Sequence, residues 1–91
     1  MTSVWVVAES RFEWYEIKHI CKTKEKAIEL WKKLRDELIL HNREMICYDL
    51  REGINYSDWK NDVITLQNLI PGQTPEPHCD YPDLKEWEVE G

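Results

Sequence analysis

Residues 14–34, "WYEIKHICKTKEKAIELWKKL", contain the change of rhythm on which the fold turns. Up to Cys21 the side chains alternate. Tyr15, Ile17, His19 and Cys21 fall on one face of an extended chain, with Trp14, Glu16, Lys18 and Ile20 on the other. The first face is expected to look into the core. Past Thr23 the period changes. Ala27, Leu30, Trp31, Leu34, Leu38 and His41 recur at three- and four-residue steps and form one apolar stripe, which predicts a helix over residues 23–41. Thr23 can accept hydrogen bonds from the N–H groups of the first turn, and Glu25 suits that positive end. Glu29 with Lys33, and Lys32 with Asp36, stand four residues apart on the polar side and are expected to pair.

Upstream, "VWVVAE" (4–9) is β-branched and aromatic, the composition of a buried strand. "SRFE" (10–13) can turn the chain, so residues 4–21 read as a hairpin. A hydrophobic strand, a short turn, a second strand and then "TKEKAIELWKKL" (23–34) together resemble the opening of short phage and prophage accessory proteins. Those proteins begin with a ββα unit whose helix is launched by a Thr-Lys-Glu-type cap. The resemblance covers residues 1–40. It implies a small α+β fold and a phage origin, and it carries over no functional residue.

Downstream the reading divides. "REMICYDLREG" (43–53) is a strand with Ile46, Tyr48 and Leu50 inward, or an extension of the helix. In the second case Met45 and Tyr48 continue the stripe and Gly53 supplies the C′ residue. In "SDWKNDVITLQNLIPG" (57–72), Trp59, Val63, Leu66 and Ile70 fit a helix over 57–69 capped by Ser57, although Val63-Ile64-Thr65 favours a strand. "PGQTPEPHCDYP" (71–82) holds four prolines and reads as an extended connector. In "LKEWEVE" (84–90), Lys85, Trp87 and Val89 share one face of a final strand, and Glu86, Glu88 and Glu90 share the other. Trp87 and Val89 are expected to pack on the core, leaving a row of carboxylates outside. The expected fold is therefore α+β: one domain, residues 1–91, with a small, mainly antiparallel sheet, one main helix packed on it, a second helix over 57–69 and a C-terminal strand.

Charge is unevenly spread within the net −6. Residues 71–91 carry Glu76, Asp80, Asp83, Glu86, Glu88 and Glu90 against Lys85, a net −5. Residues 22–35 carry six bases against Glu25 and Glu29, a net +4. These two regions can screen each other, or the acidic end can face a basic partner. On an edge strand the same row would also discourage pairing between sheet edges.

Several chemistries lack their signature. Cys21, Cys47 and Cys79 make an odd count without a signal peptide, which reads as reduced thiols in a cytoplasm. His19 and Cys21 could reach one metal ion from a strand, or be a core cysteine beside a half-buried histidine, and no cysteine or histidine spacing matches a zinc motif. Cys79, in a segment expected to be exposed, has an acidic neighbour in Asp80 that disfavours its thiolate. Three glycines leave no phosphate loop. Trp31 in the basic stretch belongs to the apolar stripe, and net −6 opposes phosphate, so direct nucleic-acid binding is not expected. No apolar run approaches the roughly 20 residues of a membrane span. The expectation is a non-enzymatic protein without cofactor or metal that docks on and inhibits a larger, basic-surfaced protein, in the manner of phage anti-defence or host-takeover inhibitors. Asp80, Asp83, Glu86, Glu88 and Glu90 would steer it and Trp87 would anchor it. The alternatives are a small homo-oligomeric subunit built through a sheet edge or the helix, and a metal- or nucleic-acid-binding module.

Overall fold

The structure, a computed structural model, describes residues 2–11, 13–53, 58–75 and 79–89. Five elements follow in chain order: β1 (Thr2–Arg11), β2 (Trp14–Cys21), α1 (Lys24–Arg51), α2 (Asp58–Asn68) and β3 (Tyr81–Val89). The strands form one antiparallel sheet in the order β2-β1-β3, so the apolar first strand lies in the middle. This is the small α+β fold that the rhythm of residues 14–34 predicts, with the expected hairpin and final strand.

The helix starts where Thr23 permits. Its side chain accepts from Lys26 N at 3.3 Å, with Thr23 itself extended. The stop differs from the expected residue 41. The helix runs through the ambiguous 43–53 segment to Arg51, 28 residues in all. Gly53 follows at φ 74, a conformation that suits glycine, and its N–H reaches Leu50 O at 3.2 Å. At about 1.5 Å per residue the helix is roughly 42 Å long, more than the sheet can cover. Its first half lies on the sheet and its second half extends beside α2, giving a molecule of 55 × 23 × 18 Å. After α2 the chain turns at Pro71-Gly72, where Gln73 N donates to Ile70 O and Gly72 has φ 89, as a type II turn requires. The expected cap Ser57, the Trp59 side chain, Phe12, Glu76, His78 and Glu90 lie outside the described residues.

The core is the layer between α1 and the sheet. Ala27, Trp31, Leu34 and Leu38 of α1 meet Val7, Cys21, Tyr81 and Leu84. Leu66 and Leu69 close it from the α2 side, with Cys79. Trp31 is fully buried, and its indole N–H donates to Pro82 O at 2.8 Å. That bond spares the buried donor an unsatisfied state, which would cost about 1–3 kcal/mol. Pro82 itself sits on an edge strand, where its missing N–H costs no sheet pairing. The expected connector is thus shorter than residue 82, because Tyr81 and Pro82 already belong to β3.

The stripe needs two amendments. His41 is exposed, and Asn42 takes the buried position instead. Tyr48 is also exposed, while Met45 is half-buried. On the polar side, Glu29 pairs with Lys26 rather than Lys33, and Asp36 with Arg35 rather than Lys32.

Candidate docking face

The sheet has two faces, and strand register from Thr2 to Ala8 assigns the paired residues to one or the other; Tyr81, opposite Ser10 at the start of β3, packs in the core although it is in phase with the reverse face. Trp5 stands opposite Cys21 and Glu86, and Val7 opposite His19 and Leu84. Val7, Cys21 and Leu84 are core residues, so this face lies under α1. Val4 stands opposite Trp87, Val6 between Ile20 and Lys85, and Ala8 between Ile17 and Asp83. These residues share the reverse face, and none of them belongs to the core cluster built around α1.

A bulge corrects the expected side of β2. The register with β1 shifts between Val7 and Ala8, so that Val7 pairs with His19 but Ala8 with Ile17, leaving Lys18 as the extra residue. His19 and Cys21 stay on the helix face. Tyr15 and Ile17 move to the reverse face and join Ile20 there. The four-residue core face expected of β2 therefore does not exist, and of that strand only Cys21 is buried.

The reverse face is apolar and partly deep. Val6 and Ala8, on the central strand, are fully buried. The outer strands carry exposed apolar side chains: Ile20 is 65% exposed, Ile17 and Trp87 43%, and Val89 44%. The face is thus an apolar patch of exposed outer side chains around a buried centre. Trp87 and Val89 belong to that patch and are not part of the core, contrary to expectation. They do share a face with each other, as expected.

One end of this face carries a polar bridge. The Tyr15 hydroxyl donates to Asp83 Oδ2 at 2.8 Å, linking the outer strands across Ala8. Alanine at that position leaves room for the tyrosine to lie over it. Lys85 Nζ stands 3.5 Å from the same Asp83 oxygen and 5.5 Å from the centre of the Tyr15 ring. Burial of the hydroxyl end raises the Tyr15 pKa well above that of an ordinary tyrosine, and the hydrogen bond to Asp83 raises it further. Asp83 is itself buried, so it is a structural carboxylate and not the free recognition group expected of it. The charges on this face are paired within it.

The remaining candidate residues are divided by the same register. Glu86 and Glu88 lie on the helix face but beyond the reach of α1, where both are exposed. Asp80 is exposed at the start of the strand, 3.9 Å from Arg11 Nε. Glu86 and Glu88 therefore share the edge strand with Trp87 but stand on the opposite face, and β3 is the edge strand that the guarding argument needs. Cys79 is buried, not exposed, and burial with Asp62 and Asp80 nearby pushes its pKa up to about 11. Among the described residues no group of three His, Cys, Asp or Glu side chains is placed to hold a metal ion. No helix of the described residues is long and apolar enough to cross a membrane.

A concavity of about 560 Å³ runs between β2 and α1. Glu9 is buried at its base and takes Arg11 at 2.9 Å and Lys18 at 3.7 Å. The bulge at Lys18 is what turns that lysine toward Glu9. The groove lining carries Arg11, Lys18 and Lys33 against Glu9 and Glu37, and the ion pairs at Glu9 lie within the β1–β2 hairpin. No sequence signal marked the apolar reverse face, because the bulge that moves Tyr15 and Ile17 onto it leaves no trace in the alternation of residues 14–21. Comparison with protein-family models, curated proteins and solved structures finds no match for this chain.

Proposed function

We propose that this chain is a non-enzymatic protein-binding module that docks on and inhibits a larger protein through the uncovered face of its sheet. The observation that supports this reading is the set of exposed apolar side chains Ile17, Ile20, Trp87 and Val89, which strand register places on the sheet face away from the core. Apolar patches of this extent on small proteins mark interaction sites. A half-exposed tryptophan at the rim is the side chain best suited to anchor a partner. On the other face of β3, exposed Glu86 and Glu88 have no ion pair among the described residues and would raise the rate of encounter with a basic partner. Inhibition would follow from covering the partner's own working surface, as anti-defence and immunity proteins do.

The test compares capture of a partner from host extract by the wild-type chain, by a Trp87→Ala/Ile20→Ser variant, and by a Glu44→Ala control on exposed α1. A partner held by wild type and control but lost by the double variant is the expected result. Equal capture by all three would remove the sheet face as the docking site. Light scattering on the purified chain reads the oligomeric alternative. A stable dimer, twice 11.0 kDa, that binds no other protein would replace the inhibitor with a homo-oligomeric subunit.

A further inference from the structure

We infer that the shoulder formed by the second half of α1 with α2 is a further docking surface, and that it receives an apolar segment of a partner carrying one carboxylate, which pairs with Arg43. This surface is separate from the sheet face and does not depend on the docking reading above. The first argument is the setting of Arg43. On a helix a side chain meets the residues three and four positions away. For Arg43 these are Ile39, Leu40, Ile46 and Cys47, so α1 offers it no acidic neighbour at that spacing. Arg43 is exposed, and its side chain has no ion pair or hydrogen bond among the described residues. The apolar residues around it are open as well. Leu40 is 58% exposed, and Leu50, two turns on from Arg43, is 59% exposed. Cys47 is exposed between them, and Ile39 and Ile46 are half-buried at the side. The strip from Ile39 to Leu50 is about 16 Å long at the usual helical rise.

Shape and charge supply the second argument. Between α1 and α2 the surface opens into a concavity of about 400 Å³, lined by Arg35, Asp36, Ile39, Leu40, Arg43 and Gln67. Its charges are unequally matched. Arg35 reaches Asp36 Oδ1 at 3.3 Å through both Nε and Nη2, and stands 5.4 Å from the centre of the Trp31 ring. That pair is closed on itself, so Arg43 is the unanswered charge of the lining among the described residues. Gln67 adds an amide that can donate in the same concavity. A partner that covers the apolar strip strips water from Arg43, and a wholly apolar cover would leave the guanidinium buried without a partner. A carboxylate removes that cost, because a guanidinium takes it through two parallel N–H bonds that also fix its orientation. The chemistry that fits is therefore an Asp or Glu side chain set among apolar ones. This is the opposite sign from the basic partner that Glu86 and Glu88 suit on β3.

The experiment uses the full chain and three short synthetic peptides blocked at both ends. Each has leucines on either side of a central residue, which is glutamate, glutamine or lysine. Amide and methyl NMR shifts locate binding, and titration gives the affinity. The expected result is that shifts from the glutamate peptide concentrate at Ile39, Leu40, Ile46 and Leu50. The glutamine peptide should bind at least about fivefold more weakly and the lysine peptide more weakly still. High salt should narrow the difference. Arg43→Gln should abolish the preference for glutamate and leave denaturant unfolding unchanged, because the side chain is exposed. Arg43→Lys should recover only part of the preference, since an ammonium lacks the paired donors. Arg43→Glu should invert it, so that the lysine peptide binds best. A Trp87→Ala chain should bind the glutamate peptide as the wild type does, which keeps this surface apart from the sheet face. Equal binding of the glutamate and lysine peptides would overturn the inference, and so would no binding of any of the three. Shifts centred on Ile20 and Trp87, or in the groove between β2 and α1, would overturn it too. Self-association of the chain that Arg43→Glu abolishes would overturn it by giving this surface to a second copy.

Discussion

Two tryptophans on either side of one sheet show how differently the same side chain can be used. Trp31 lies under no solvent at all and gives its only polar hydrogen to Pro82 O. Trp87 is 43% exposed on the reverse face, beside exposed Val89. The two faces have similar apolar residues, but only one is covered by the chain's own helix. Covering it links α1, α2 and all three strands, so stability is concentrated there. The open face is held by neighbouring side chains and by the Tyr15–Asp83 bridge. Its unspent apolar area is available to a partner.

The contrast is most directly broken by truncating the covered side. Trp31→Ala should cost about 3–5 kcal/mol and Leu34→Ala about 2–4 kcal/mol in denaturant unfolding. A Leu34 effect below about 0.5 kcal/mol would take α1 out of the core and erase the distinction between the faces. The polar bridge comes next. Tyr15→Phe removes one hydrogen bond to a carboxylate and should cost about 1–2 kcal/mol at neutral pH.

The same bridge gives the protein an alkaline limit. Tyr15 has a raised pKa in the folded chain, so its contribution is complete below the unfolded tyrosine value of about 10. Above that pH the unfolded chain loses its proton first, and stability falls. Cys79, raised to about 11, acts in the same direction from the ordinary thiol value upward. Stability measured from pH 8 to 11 should therefore decline, and less steeply in Tyr15→Phe. A profile identical in the two proteins would detach Tyr15 from this effect.

Smaller effects belong to the open face. Trp87→Ala should change unfolding free energy by about 1 kcal/mol or less, because much of the ring is already wet. A loss of several kcal/mol would place Trp87 among the core residues after all. The smallest perturbation is chemical. Exposed Cys47 should alkylate in the native protein, whereas buried Cys21 and Cys79 should react only on unfolding. Native labelling of Cys79 at the rate of Cys47 would open the α2 side of the core.

What the sequence determined by itself was local. The Thr23 cap, the stripe through Trp31, Leu34 and Leu38, the β-branched first strand and the alternation of Trp87 with Glu88 each express a short-range rule. Each rule held because it needs only a few neighbouring residues. The length of α1 was not legible, since residues 43–53 satisfy both a strand and a helix pattern, and packing beside α2 selects between them. Tertiary structure also decided which face each strand residue would serve. The bulge at Lys18 depends on pairing with β1, and it moves Tyr15 and Ile17 from the expected core side to the reverse face. Alternation told that Trp87 and Val89 share a face, but it could not tell which face α1 would cover. That choice is made by where the chain crosses the sheet after β2. It turns residues with a core composition into an exposed wall, and so creates the surface on which the proposed function rests.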